Sequence, residues 1–232
     1  MKNRHEKIGM KILAIETATE TCSVALAVNG EVLQRYQHAP RLHAELILPW
    51  VQELLAEAGI GFGAVDAMAF SRGPGSFTSL RIGIGVVQGL AWASDCPVVP
   101  VSSLAATAQA SVTNDVSTAL VALDARMNEV FTGVFRLNEN GIMSLDGEER
   151  VCSPELVEVP GGTRIHGVGI GFERYAVLKE IAGSFDGVLA DTWPDAASVL
   201  KLAQDWLRNN TALPAELAQP VYLRDKVAQK PE

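Results

Sequence analysis

Residues 11–37 read KILAIETATETCSVALAVNGEVLQRYQ, and this stretch decides the fold. The run from Lys11 to Ile15 is short, apolar and bounded by polar residues, which predicts a buried strand. After a polar turn, Cys22 to Val28 predicts a second strand, and Asn29-Gly30 is typical of a tight hairpin. Glu31 to Gln37 then predicts a third strand.

The same order of features returns in the second half of the chain. Leu120 to Leu123 is an apolar run that ends in Asp124, as the first strand ends in Glu16. Val130 to Leu137 follows, and Asn140-Gly141 closes this hairpin as well. We interpret the pattern as a degenerate internal duplication that gives two lobes of similar βββα design; chance similarity between short strands is the alternative.

Helical periodicity follows the first three strands. Apolar residues recur every four positions from Arg41 to Ala58, which predicts a helix with a kink or break near Pro49. A second helix is predicted from Leu80 to Ala93, with Thr78 or Ser79 as its cap. Further predictions are a strand at 97–101, a helix capped by Ser102 or Ser103, and helices at 171–182 and 196–207.

The fold class expected from this order is α/β, with two lobes of which the second is reduced and degenerate. Residues 1–9 are expected to be a disordered extension or a tag. Residues 10–110 are expected to form an N-terminal lobe with docking helices, and residues 111–232 a C-terminal lobe.

Composition narrows the possible functions. The chain of 232 residues carries 27 acidic and 19 basic residues, a formal charge of -8, which disfavours direct binding to nucleic acid. The three cysteines form no metal-binding or disulfide pattern and are expected to be buried thiols of a cytoplasmic protein. No apolar run approaches the ~20 residues that span a bilayer, so no membrane association is expected.

Two acidic residues and one loop are candidates for a nucleotide cleft. Glu16 and Asp124 each end the first strand of a lobe, so in a two-lobed fold they would face each other and could hold magnesium through water. Gly75 lies in the loop SRGPGSFTSLR at residues 71–81, which could present backbone N–H groups to an anion. The alternatives are that both acids accept hydrogen bonds within their own turns and that the loop is a rigid structural turn.

The second helix has a face of small residues. Gly85, Gly89 and Ala93 are spaced by four and would permit close approach of another helix. We predict a protein interface on the first two helices; internal packing alone is the alternative. The predicted contact residues are Leu46, Trp50, Leu54, Ile82, Gly85, Val86 and Gly89.

The sequence lacks the patterns of several enzyme classes. The four histidines show no i, i+4 pair for a helical metal site, and neither HExxH nor GxSxG is present. No serine has a recognisable base beside it. We therefore expect no catalytic residue, no bound metal and no cofactor.

Four segments together carry a resemblance to a known family. They are KILAIETATETCSVAL at 11–26, SRGPGSFTSLRIGIGVVQGLA at 71–91, LDARMNEVF at 123–131 and PVYLRD at 220–225. Together they resemble the TsaB family of bacterial tRNA threonylcarbamoyladenosine biosynthesis proteins, over nearly all of residues 10–225. That resemblance implies the two-lobed fold of actin and the heat-shock chaperone ATPases.

The same resemblance implies partners and a role. TsaB-like proteins bind the catalytic subunit TsaD, which an ATPase, TsaE, joins, and they tend to self-associate through helices of the first lobe. The implied role is a non-catalytic subunit required to form threonylcarbamoyladenosine next to the anticodon, with tRNA reached only through the complex. A homodimer is expected when the chain is alone.

Comparison with TsaD-like chains supports the non-catalytic expectation. Their two metal-binding histidines correspond to Ser103 and Thr107, which are poor ligands for a transition metal. Their glycine-rich phosphate loop corresponds to residues 124–128, which contain no glycine. The alternative function is an ATP-binding phosphotransferase or hydrolase of the actin-like fold.

Overall fold

A computed structural model of the protein describes residues 9–112, 116–161 and 164–224. Except for Gly9, the extension expected at residues 1–9 lies outside the described residues. Within the described chain, no helix is both long and apolar enough to cross a lipid bilayer.

The first half builds a five-stranded sheet. Its strands are β1 (Ile12–Glu16), β2 (Thr21–Val28), β3 (Glu31–His38), β4 (Ala67–Gly73) and β5 (Val98–Ser102), in the order β3-β2-β1-β4-β5. β1 pairs antiparallel with β2 and parallel with β4, and β5 pairs parallel with β4. β1 and β2 are buried throughout, which explains why their sequences are apolar on both faces.

The second half repeats this arrangement. Its strands are β6 (Thr118–Arg126), β7 (Glu129–Leu137), β8 (Met143–Cys152), β9 (Ile165–Val168) and β10 (Gly187–Leu189), in the order β8-β7-β6-β9-β10. β6 pairs antiparallel with β7 and parallel with β9, as β1 does with β2 and β4. The matching order and directions confirm the predicted α/β class and the two duplicated lobes.

In the described ranges, six α-helices connect and cover the strands: α1 (His43–Glu57), α2 (Phe77–Ser94), α3 (Ser103–Ala110), α4 (Gly171–Arg174), α5 (Ala176–Ile181) and α6 (Ala196–Asn209). α1 continues through Pro49 without a break. α2 begins at Phe77, earlier than predicted, and its N-cap Ser76 makes no side-chain capping bond. Ser102 caps α3 as predicted, because its Oγ accepts hydrogen bonds from the N–H groups of Leu104 and Ala105.

The predicted helix at 171–182 is interrupted. Tyr175 has extended backbone angles, φ -110° and ψ 120°, and separates α4 from α5. Its hydroxyl donates a hydrogen bond to Asp124 at 2.8 Å, so the interruption brings an aromatic side chain back to the end of β6.

Each half contributes one helix that packs on the sheet of the other half. The expected division between residues 110 and 111 separates each of these helices from the sheet that it covers. α3 belongs to the first half, yet its Leu104 and Ala108 pack in the core of the second sheet. α6 belongs to the second half, yet its Val199 and Leu200 pack on the first sheet. The two lobes therefore share their hydrophobic layers.

Candidate cleft and docking groove

A cavity of about 590 Å³ lies between the two lobes, where β1, β4 and β6 end. Side chains of both halves line it, and four of them are arginines. Only two of the lining side chains in the described chain are carboxylates, Glu20 and Asp124. The cavity is therefore more basic than the protein as a whole.

Glu16 does not line this cavity, contrary to the sequence prediction. It is fully buried, and its carboxylate accepts hydrogen bonds from the Ser71 hydroxyl and the Ala18 N–H. Burial raises the pKa of the Glu16 carboxyl to about 7, although both hydrogen bonds oppose this rise. Glu16 therefore holds its own turn against β4, which is the structural alternative considered above.

Gly75 lies at the cavity wall, and close packing explains why it is a glycine. A Cβ atom at this position would come within 2.3 Å of the Ala18 carbonyl oxygen. The next residue, Ser76, donates its N–H to that oxygen at 2.7 Å. The loop is thus fastened to the turn between β1 and β2.

Asp124 lies at the cavity, as predicted, and its carboxylate is occupied by donors of the protein. It accepts hydrogen bonds from the Arg174 guanidinium, from the Tyr175 hydroxyl at 2.8 Å and from the Arg126 N–H at 2.9 Å. Burial alone would raise the pKa of Asp124, but these partners together lower it below its ordinary value. With Glu16 outside the cavity and Asp124 bonded in this way, these two acids do not fit a magnesium ion.

Glu20 links the lobes through the same arginines. It follows β1 in the first half, whereas Arg126 and Arg174 belong to the second. Its Oε1 lies 2.9 Å from Arg126 Nη2 and 3.4 Å from Arg174 Nη2. The cluster therefore connects the two sides of the cavity.

The turn between β6 and β7 has an unusual backbone. Arg126, Met127 and Asn128 all have positive φ, between 55° and 62°, the left-handed region that favours glycine. The absence of glycine from residues 124–128 disfavours close approach of a phosphate to this turn. The backbone of this turn therefore has a conformation that glycine adopts most easily, although all three of its residues carry side chains.

The end of the described chain lies in the cleft, and the sequence analysis did not assign it a role. The Val221 N–H donates to the Arg72 carbonyl at 2.7 Å, and the Tyr222 ring packs on Phe77 with centroids 5.5 Å apart. Arg224 donates to the Ala125 carbonyl at 3.1 Å and pairs with Glu129. The PVYLRD motif could have indicated this position.

The seven residues of the predicted interface on α1 and α2 fall into three groups by burial. Leu54 is fully buried in the core of the first lobe, so its assignment as a contact residue is wrong. The partly buried residues of the set pack against that same core; they are Leu46, Trp50, Ile82 and Val86. Gly85 and Gly89 are exposed, and a Cβ on either would meet no atom within 4 Å.

These two glycines form one wall of a groove. We define the α2 groove as the surface lined by Gly85, Gln88, Gly89, Trp92, Ala93, Ala215 and Glu216. Trp92 is 70% exposed and was missed by the sequence analysis, although it follows Gly85 by seven positions on the same helix. An exposed tryptophan beside small residues is a typical anchor for a protein partner.

The positions compared with metal-binding histidines lie inside the protein. Ser103 and Thr107 are fully buried, and the Thr107 hydroxyl donates to the Ser103 carbonyl at 2.8 Å. Across the described residues, no group of three or more His, Cys, Asp or Glu side chains could hold a metal ion.

The duplicated lobes, the exchanged helices and the cavity between the lobes define a protein of the two-lobed actin-like fold. The family model of TsaD, tRNA N6-adenosine threonylcarbamoyltransferase, matches residues 35–232. The chain belongs more specifically to the family of tRNA threonylcarbamoyladenosine biosynthesis protein TsaB, because it matches curated members over nearly its whole length.

Three relatives illustrate the match. The TsaB proteins of Escherichia coli and Haemophilus influenzae are 40% and 41% identical; the alignments cover 95% of this chain and 97% and 96% of theirs. The structure of YeaZ from Pseudomonas aeruginosa is 44% identical, with a TM-score of 0.86, over 92% of this chain and all of that one.

Proposed function

We propose that this chain is a non-catalytic subunit of the cytoplasmic machinery that forms threonylcarbamoyladenosine on tRNA. The names of its relatives support a role in this biosynthesis. Two features of the chain support a binding role. The acidic residues of its cleft are engaged by its own arginines, and the α2 groove exposes Gly85, Gly89 and Trp92.

The α2 groove is the proposed binding site for a TsaD-like catalytic subunit. The match to the TsaD family model supports this choice of partner, because related lobes can present similar helical faces to each other. In the absence of that subunit, we propose that a second copy occupies the groove and forms a homodimer. A TsaE-like ATPase joins the complex. In this proposal tRNA contacts the complex as a whole and is not bound by this chain alone.

Binding to the purified TsaD-like subunit tests this function directly. Gly85→Arg should fill the groove and leave the core of the lobe intact, because Gly85 is exposed and a Cβ atom added there meets no protein atom within 4 Å. Gly183→Arg is the matched control, since Gly183 is also exposed and unobstructed but lies in the second half. We expect calorimetry to detect no complex with Gly85→Arg and unchanged affinity with Gly183→Arg; equal affinities would contradict the docking proposal.

Reconstitution tests the role in modification. Formation of threonylcarbamoyl-tRNA is measured with all other components supplied, with and without this chain. We expect the yield to collapse without it and to remain low with Gly85→Arg. A yield independent of this chain would contradict the proposed function.

The basic cavity favours one alternative, an ATP-binding phosphotransferase or hydrolase. Its volume of about 590 Å³ and its four lining arginines suit a nucleotide. Calorimetry with ATP and magnesium on the isolated chain, followed by a phosphate-release assay, separates the two functions. Turnover that is lost in Asp124→Asn would favour the enzyme, whereas binding without turnover would leave the non-catalytic proposal in place.

A further inference from the structure

One segment of the chain borders both the α2 groove and the cavity between the lobes. We call residues 213–224 the strap. Ala215 and Glu216 line the groove, and Val221 to Arg224 line the cavity. Any partner seated in the groove would therefore contact the segment that reaches into the cleft.

The first part of the strap is anchored on the first lobe. Leu213 exchanges two backbone hydrogen bonds with Val98 of β5, at 2.7 and 2.8 Å. Ala218 is fully buried in the core of the first lobe. Its carbonyl accepts a hydrogen bond at 2.8 Å from the Gln88 side chain, which itself lines the groove. The groove and the strap thus share a side chain.

The last residues of the strap pass from one lobe to the other. Tyr222 stays with the first lobe, where its hydroxyl accepts a hydrogen bond from Arg81 at 3.2 Å and its ring packs on Phe77. Two residues later, Arg224 holds the turn between β6 and β7 through Ala125 and Glu129. The strap therefore reaches the second lobe through the guanidinium group of Arg224.

We propose that the strap couples occupancy of the α2 groove to closure of the two lobes; this inference rests on the proposed docking function. A partner in the groove contacts Gln88, Ala215 and Glu216 and holds the strap against α2. The strap in turn keeps Arg224 on the second lobe and the lobes closed. Because coupling between two equilibria is reciprocal, a strap released from the second lobe weakens binding in the groove.

The test uses the full chain and its TsaD-like partner. Arg224→Gln removes the charge that holds the second lobe, and Arg208→Gln is the control, because Arg208 is exposed on α6 away from groove and cleft. We expect the dissociation constant to rise at least fivefold for Arg224→Gln, at the lower end of ordinary coupling, and to stay within twofold for Arg208→Gln.

A double-mutant cycle identifies the contact responsible. Glu129→Gln should weaken binding as Arg224→Gln does, and the double variant should be no weaker than either single variant. Hydrogen exchange gives an independent measurement. Partner binding should slow exchange of the Val221 amide in the native chain and have less effect on it in Arg224→Gln.

The outcomes separate this inference from the docking proposal. If Arg224→Gln binds as tightly as Arg208→Gln while Gly85→Arg fails to bind, the strap is not coupled and the docking site stands. If Gly85→Arg also binds normally, both proposals are overturned. Additive effects of Arg224→Gln and Glu129→Gln would equally refute transmission through this ion pair.

Discussion

Gly83 lies against Thr17: a Cβ atom added to Gly83 would come 2.2 Å from the Thr17 Oγ1. Thr17 follows β1, and its hydroxyl donates a hydrogen bond at 3.0 Å to the Ser79 carbonyl of α2. Gly83 thus lets α2 pack closely against the turn between β1 and β2. The glycines of α2 have two different roles, because Gly83 is buried while Gly85 and Gly89 are exposed.

Alanine substitutions in α2 should separate these roles. We expect Gly83→Ala to lower the free energy of unfolding by about 1 to 3 kcal/mol, because the new methyl group overpacks the contact with Thr17. Gly85→Ala should raise it by up to about 1 kcal/mol, because alanine favours the helix and meets no other atom. Urea denaturation of both variants measures this; equal effects would contradict the assignment.

Glu16 should make stability depend on pH. Burial raises the pKa of its carboxyl to about 7, whereas an unfolded glutamate has a pKa of about 4.3. The folded chain binds the extra proton between these values, so this contribution to stability is full below about pH 4 and is lost as the pH rises through about 7.

The variant Glu16→Gln isolates this effect, because it has no carboxyl to ionise. Between pH 5 and pH 8, we expect the free energy of unfolding of the native chain to fall by about 2 to 3 kcal/mol relative to Glu16→Gln. Denaturation curves of both proteins at several pH values measure the difference. Parallel pH profiles would show that Glu16 ionises normally in the folded state.

Asp124 should give the opposite pH dependence. Its pKa is lowered in the folded chain by the Arg126 N–H, the Tyr175 hydroxyl and the Arg174 charge, which together outweigh burial. Its stabilising contribution is therefore present above the unfolded pKa of about 3.9 and lost as the pH falls through the lower folded value. Asp124→Asn should melt at a lower temperature than the native chain at pH 7, and the gap should narrow below about pH 4. Calorimetric melting at both pH values checks this, and a constant gap would contradict it.

Trp92 should contribute to binding and not to folding. Its side chain is 70% exposed beside the α2 groove, so Trp92→Ala removes little buried surface of this chain. If it anchors the TsaD-like subunit, its loss should weaken binding by more than about tenfold while the melting temperature stays within about 2 °C. Leu156→Ala is the control, because Leu156 is 65% exposed in the second half. Similar affinities for the two variants would exclude Trp92 as an anchor.

Local sequence signals were sufficient for the strands and their duplication. Apolar runs and the two Asn-Gly turns depend on neighbouring residues alone, and the predicted Lys11–Ile15 strand differs from β1 by one residue at each end. The predicted strand from Cys22 to Val28 likewise lies within β2.

Signals that depend on distant residues could not be read in this way. A helical period shows that α3 and α6 each have an apolar face, but not that each covers the sheet of the other half. For the same reason, periodicity grouped the fully buried Leu54 with partly buried positions of α1 and α2 and with the exposed Gly85 and Gly89. Glu16 was predicted in the cleft because the sequence does not show that the Ser71 hydroxyl donates a hydrogen bond to its carboxylate.

The exchanged helices have a consequence for the newly made chain. One face of the first sheet, which includes Ile12 and Val99, is covered by α6 at residues 196–209. Synthesis proceeds from the N-terminus, so this face lacks its cover by α6 until about a hundred residues beyond β5 have been made, although Ala106 of α3 already packs there. Most of its strand residues are alanines, such as Ala14 and Ala69. Their small side chains limit the apolar surface that is exposed to water before α6 packs on it. A chaperone that binds this surface during synthesis would raise the yield of folded protein.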